Sequence, residues 1–154
     1  EMDGGGSVMN QGVHYIDLVQ WFMGPVERVL GAHYGVYAHE HCETEDLTTA
    51  IIQFKGGAIC TVLTTTTFPG DSTSMVQIHG DKGVVGIDPN VWNFKEGEPE
   101  INLPPYPKNV IQDAIRVIRE GAKPAVDGYE GKKSVALNLA IYESARTGGP
   151  VELG

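Results

Sequence analysis

The sequence predicts an α+β fold: an open, mainly antiparallel sheet with helices packed on one face. The chain opens with a segment of helical apolar spacing, and a run of β-branched segments separated by tight turns follows. Two more segments of helical spacing close it. At 154 residues the chain has the size of a single domain and is long enough to bury a core.

The first half predicts a helix and a long strand. The helix runs from about Val8 to Met23, with Ser7 as a candidate N-cap, and Gly24-Pro25 ends it. A strand rich in β-branched and aromatic residues follows from about Val26 to Tyr37.

Three hairpins are predicted in the middle of the chain. The first joins strands at Leu47 to Phe54 and Ala58 to Phe68 through a Lys-Gly-Gly turn. The second pairs TSMVQIHG with GVVGID about Asp81-Lys82-Gly83, and a third, shorter one pairs VWNF with INL.

The last part returns to helical spacing. One helix is predicted from Asn109 to Gly121 and another from about Tyr129 to Arg146, with Val151 to Leu153 as an edge strand. The core-facing residues predicted for the last helix are Val135, Leu137, Leu139, Ala140, Ile141 and Ala145.

Composition excludes several classes of partner. The net charge is -9 and the 11 Lys and Arg residues are scattered, which argues against binding to nucleic acid or to an anionic membrane surface. No apolar run reaches the roughly 18 residues that a membrane helix needs. Cys42 and Cys60 stand outside any CxxC motif, and no signal peptide is visible, so we expect a reducing, cytoplasmic location.

The first helix carries a narrow polar strip. On a helical wheel, Asn10, His14, Asp17 and Trp21 fall on one side. The apolar residues of the opposite side are Met9, Val13, Ile16, Val19 and Met23. A solvent-facing side would carry Lys and Glu, so this strip is predicted to line a pocket.

The residue types of the strip suit acid–base chemistry at a hydroxyl. The imidazole of a histidine such as His14 can take a proton from a hydroxyl or return it. Asn10 can position a substrate hydroxyl, Asp17 can hold the ring or a second hydroxyl, and Gly6 lets backbone N–H groups approach a ligand. The alternative is a histidine that is simply part of the core.

Two other features have structural interpretations. The run HEHCETED, His39 to Asp46, contains zinc-ligand residue types, but it lacks a second ligand pair, so no metal site is predicted. Glu43, Glu45 and Asp46 are expected to solvate a loop or to form part of a substrate rim. His33, His79 and Trp92 are interpreted as structural.

Several segments resemble the C-terminal domain of the glucose–fructose oxidoreductase / inositol dehydrogenase (Gfo/Idh/MocA) family. They are GGGSVMNQGVHYIDLVQWFMGPVERV, ETEDLTTAIIQFKGGAICTV, VQIHGDKGVVGID and AIYESARTGGPVEL. The resemblance implies a two-domain oxidoreductase, dependent on NAD or NADP, that acts on a sugar, a polyol or a sugar derivative.

The resemblance also implies residue roles. His14 matches the family's acid/base on the reacting hydroxyl. The position of Asn10 is often Asp in inositol-dehydrogenase-like members, and an amide can only position a hydroxyl. Residues 1–154 would be the substrate-binding and oligomerisation domain, with the N-terminal Rossmann domain absent, because no GxGxxG occurs.

Two expectations follow from this assignment. The fragment alone is expected to be inactive. It is expected to form a homo-oligomer through its sheet, where Thr61 and Thr64 to Thr67 lie. The alternatives are a non-catalytic binding or assembly domain and a metal-dependent site on the HEHC loop.

Overall fold

A computed structural model describes residues 4–70, 74–87, 91–98, 100, 107 and 109–154, apart from the side chains of residues 91 and 92. The chain divides into two compact units. Unit 1 comprises Glu1–Ser72 and Gly131–Gly154, and unit 2 comprises Thr73–Glu130.

Unit 1 contains a four-stranded antiparallel sheet in the order β3-β2-β1-β7. A π-helical turn at Val8–Gly12 leads into helix α1, Val13–Met23. The strands are β1 (Val26–Gly35), β2 (Leu47–Phe54), β3 (Ile59–Thr65) and the edge strand β7 (Val151–Glu152).

The core of unit 1 lies between one face of this sheet and the helices. Strand β2 shows why: Thr48, Ala50, Ile52 and Phe54 are buried, because alternate side chains of a strand point to the same face. The buried apolar residues of the cluster are Val8, Ile16, Val26, Val29, Ala50, Ile52, Phe54, Leu137, Ala140 and Ile141.

The opposite face of the same sheet carries exposed apolar side chains. Ile51, Ile59 and Leu63 are 44%, 65% and 69% exposed, and Thr61 is exposed with them. Ile51 pairs with Thr61 in the register between β2 and β3, so these side chains form one patch. Both cysteines of the chain, Cys42 and Cys60, are free thiols.

Unit 2 contains a three-stranded antiparallel sheet and a helix. The strands are β4 (Val76–His79), β5 (Gly83–Ile87) and β6 (Val91–Phe94), in that order. Helix α2, Val110–Glu120, is capped by the Asn109 side chain, which accepts from the Gln112 N–H at 2.9 Å. Helix α3, Gly128–Thr147, begins at the end of unit 2 and continues into unit 1.

The α+β prediction is confirmed, with three refinements. The strands form two sheets, and β6 pairs with β5, whereas the INL segment predicted as its partner lies outside the described residues. Val135 and Leu139, predicted to face the core, are 46% and 56% exposed. Both lie on the side of α3 opposite Leu137 and Ile141.

Candidate functional site

The start of the first helix lies against a buried carboxylate. The Ser7 N–H donates to the backbone carbonyl of Glu45 at 3.1 Å, and the Val8 N–H donates to Glu45 Oε1 at 3.1 Å. The Tyr142 hydroxyl and the Thr48 hydroxyl donate to the same Oε1 at 3.0 and 3.4 Å. Glu45 is 7% exposed, so a single buried oxygen collects donors from the helix start, α3 and β2.

Ser7 occupies the predicted cap position but does not cap with its side chain. Its hydroxyl is 3.0 Å from the Thr64 hydroxyl on β3. Glu45 accepts from the first helical N–H groups in its place, which satisfies donors that would otherwise lack partners.

Gly6 is required by this contact. A side chain at Gly6 would overlap both the carboxyl group and the backbone carbonyl of Glu45. Its N–H donates to the Tyr142 hydroxyl at 3.4 Å. Gly4 and Gly5 have φ values of 72° and 142°, which favour glycine, and they lead the chain into this close approach. The predicted role of Gly6 in substrate binding stays a prediction.

The pKa of the Tyr142 phenol is raised to about 12. Burial is the largest cause, and the nearby charge of Glu45 and the hydrogen bond to it act in the same direction. Tyr142 therefore remains a neutral donor throughout the physiological pH range.

The polar strip lies on the uncovered side of the helix. Asn10, His14 and Trp21 are exposed, whereas Ile16 is buried and Val13 is half-buried. Because residues 13–23 are α-helical, the wheel holds for His14, Asp17 and Trp21. Asn10 lies in the π-helical turn, whose wider spacing changes its angle to His14.

The members of the strip differ in their contacts. Within the described residues no hydrogen bond involves the His14 ring, and the Asn10 amide oxygen accepts only from Gln11 Nε2, at 3.4 Å. Asp17 instead accepts from the Ser134 hydroxyl of α3 at 2.6 Å. Asp17 therefore has a structural partner, and the substrate roles of all three residues stay predictions.

The expectation that Glu45 and Asp46 solvate a loop is wrong. Asp46 is 2% exposed and its carboxylate accepts N–H groups of Tyr37, Ala38 and His39 at 2.8–3.1 Å. Burial alone would raise the pKa of Asp46, but these backbone donors, with the His39 ring, lower it to about 2. Glu43 is exposed.

Sequence reasoning missed Tyr142 and the anchoring role of Glu45. The only local signal was the glycine at position 6, which permits a close backbone approach. Among the described residues, no group of three or more His, Cys, Asp or Glu side chains could hold a metal ion. None of the described helices is long and apolar enough to cross a membrane.

The chain belongs to the GFO/IDH/MocA family. Residues 1–86, more than half of the chain, match the model of the GFO/IDH/MocA C-terminal domain, which confirms the resemblance inferred from the sequence.

Solved structures agree with this assignment. The WlbA dehydrogenase from Bordetella pertussis, in complex with NADH and UDP-GlcNAcA, superimposes with a TM-score of 0.81 at 30% identity, over 97% of this chain and 48% of that one. WlbA from Chromobacterium violaceum, with the same ligands, gives a TM-score of 0.79 at 32% identity, over 97% and 46%.

A curated relative is the D-apiose dehydrogenase of Rhizobium rhizogenes (strain K84 / ATCC BAA-868). It is 23% identical over 93% of this chain and 47% of its own length. The chain thus spans about half the length of the proteins it matches.

Proposed function

We propose that this chain is the substrate-binding half of a nicotinamide-dependent oxidoreductase that acts on a sugar, a polyol or a sugar derivative. The observation that carries the proposal is the exposed His14, four residues after the exposed Asn10, on a helix whose residue Ile16 packs into the core. Membership of the GFO/IDH/MocA family supports it, as do similar proteins named as dehydrogenases.

His14 would act as the acid/base on the reacting hydroxyl. Oxidation of a secondary alcohol removes a hydride from carbon and a proton from oxygen, leaving a carbonyl. The nicotinamide supplies the hydride acceptor. The His14 imidazole takes the hydroxyl proton, and in the reverse direction it returns that proton. Asn10 can donate to or accept from a hydroxyl but cannot ionise, so it positions the substrate.

The glycine turn before the first helix does not fit the phosphates of the cofactor. A glycine turn before a helix is a common anion site, because the first helical N–H groups point at the ligand. Here the N–H groups of Ser7 and Val8 already donate to Glu45, whose carboxylate would repel a phosphate. We therefore place cofactor binding mainly in a nucleotide-binding domain outside these 154 residues.

Two measurements test the function. The intact protein is expected to reduce NAD or NADP with a member of a panel of sugars, polyols and sugar nucleotides, whereas the 154-residue chain is expected to be inactive and to give no heat with NAD(H) by calorimetry. Absence of turnover by the intact protein across the panel would favour the alternative, a non-catalytic binding or assembly domain. Tight NAD(H) binding by the 154 residues alone would contradict the placement of the cofactor.

We further propose that the chain forms a homo-oligomer through the open face of its four-stranded sheet. The support is the apolar patch of Ile51, Ile59 and Leu63 beside Thr61, on a sheet whose other face is covered by helices. Exposed apolar patches of this kind are typical of protein interfaces.

A further inference from the structure

We propose that Glu45 is a positioning residue of the reaction: with Tyr142 it fixes the helix start that carries Asn10 and His14. The inference rests on the proposed role of His14. Glu45 itself would not touch the substrate, because it lies buried beneath the first turn of the helix.

The first turn of this helix has weak local support. It has no acidic residue of its own, and Ser7 directs its hydroxyl to Thr64 rather than to the helix. Three glycines precede it, so the preceding chain does little to fix its direction. The N–H groups of Ser7 and Val8 find their acceptors on Glu45.

Glu45 connects this turn to the rigid part of unit 1. Its Oε1 also accepts from Thr48, which is fully buried on β2, and from Tyr142 on α3. Tyr142 in turn packs edge-on against Tyr34 of β1, with ring centroids 5.7 Å apart. The Glu45 carboxylate thus connects the start of the first helix directly to β2 and to α3, and through Tyr142 to β1.

The contact leaves little room for adjustment. The backbone of Gly6 approaches the Glu45 carboxyl group so closely that no side chain fits between them. His14 lies six residues beyond Val8, which corresponds to about 9 Å along the helix axis. A shift or tilt of the first turn therefore moves both Asn10 and His14 relative to any bound hydroxyl.

Proton transfer requires the base within hydrogen-bonding distance of the hydroxyl. A misplacement of about 1 Å can cost roughly 100-fold in rate. Loss of the Glu45 anchor is therefore expected to lower kcat, whereas substrate contacts made elsewhere would leave KM less affected.

The test compares Glu45→Ala, Glu45→Gln and Tyr142→Phe in the intact enzyme. Glu45→Ala is expected to lower kcat by about 10-fold to 100-fold, with a smaller change in KM. Glu45→Gln keeps an oxygen at the same reach for all three donors and should restore kcat to within a few-fold of the wild type. Tyr142→Phe keeps the ring but removes one donor, and an intermediate loss of kcat is expected.

Glu40→Ala is the matched control, because Glu40 is an exposed glutamate on the same loop. It should leave kcat unchanged. Hydrogen exchange gives a readout that does not depend on activity: the Val8 amide, which donates to the Glu45 carboxylate, should exchange faster in Glu45→Ala but not in Glu40→Ala.

If Glu45→Ala does not fold, Glu45→Gln and Tyr142→Phe decide the question. The inference is overturned if Tyr142→Phe and a folded Glu45→Ala both keep wild-type kcat while His14→Ala is inactive. It is also overturned if Glu45→Gln loses as much kcat as Glu45→Ala. If His14→Ala itself keeps wild-type turnover, the proposed function fails instead, and the hydrogen-exchange result still reports on the anchor.

Discussion

The Ser134 hydroxyl lies 2.6 Å from a carboxylate oxygen of Asp17 and joins helix α3 to helix α1. The same hydroxyl accepts from Gln20 Nε2 at 3.2 Å, so two side chains of α1, one turn apart, meet one serine. Ser134 is 4% exposed. The polar strip is therefore partly a helix–helix contact as well as a candidate site.

Ser134→Ala is expected to lower the free energy of unfolding by about 1 kcal/mol, because it removes a hydrogen bond to a charged group at a partly buried position. A double-mutant cycle with Asp17→Ala, measured by chemical denaturation, should give a coupling of about 1 kcal/mol. Additive effects would mean that the two groups do not interact. Leu139→Ala, at an exposed position of the same helix, should change stability little.

The same variants test the predicted substrate role of Asp17. If Asp17 also holds a substrate hydroxyl, Asp17→Ala should raise KM whereas Ser134→Ala should not. An equal KM for both variants would restrict Asp17 to the helix contact.

Asp46 predicts an acid-dependent loss of stability. Its pKa is about 2 in the folded chain and 3.8 ordinarily, so the unfolded state takes up the proton first as the pH falls. The contribution of the ionised Asp46 carboxylate to the free energy of unfolding is fully present above about pH 4 and disappears as the pH falls toward 2. The free energy of unfolding, measured by chemical denaturation at several pH values in this range, should therefore fall more steeply with decreasing pH for the wild type than for Asp46→Asn. Parallel curves would contradict the assignment, and Asp81→Asn, at an exposed turn position, should follow the wild type.

Leu63 tests the proposed interface. Since its side chain is 69% exposed in the single chain, Leu63→Glu should leave the fold intact and place a charge on the open sheet face, at the edge strand β3. We expect the intact protein to shift to a smaller species in light scattering. Val110→Glu is the control, because Val110 is 83% exposed on α2, which belongs to unit 2 and not to the unit that contains that sheet. An unchanged mass for Leu63→Glu would contradict association through this face.

The elements with a regular local pattern were predictable. Strand β2 has the predicted bounds, Leu47–Phe54, because its run of apolar and β-branched residues lies between a polar loop and a Lys-Gly-Gly turn. The π-helical turn at Val8–Gly12 could not be predicted, because the apolar spacing of its residues is equally compatible with an ordinary α-helix.

The Glu45 anchor could not be predicted for a different reason. Glu45 and Tyr142 are 97 residues apart, and their contact depends on how β2 and α3 pack. A glutamate in the run HEHCETED has the local appearance of a solvated loop residue. Asp46 misleads in the same way, because its partners are backbone N–H groups, which leave no trace in the sequence.

The last prediction concerns His14. In the intact enzyme His14→Ala should lower turnover by about 10²- to 10⁴-fold, the usual range for loss of an acid/base, with a much smaller effect on substrate binding. The reason is that hydride leaves carbon readily only when the adjoining hydroxyl loses its proton. His14→Asn should not restore activity, because an amide accepts no proton at this pH. Asn10→Ala should mainly raise KM, since Asn10 can position a hydroxyl without ionising.

Val13→Ala separates this role from a structural one. Val13 precedes His14 directly but is half-buried, so its truncation should cost about 1 kcal/mol of stability and leave turnover near normal. His14 is exposed, and His14→Ala should therefore change the unfolding free energy little. If His14→Ala kept near-normal turnover and lost as much stability as Val13→Ala, His14 would be a structural histidine. The acid/base of the reaction would then have to come from outside this helix.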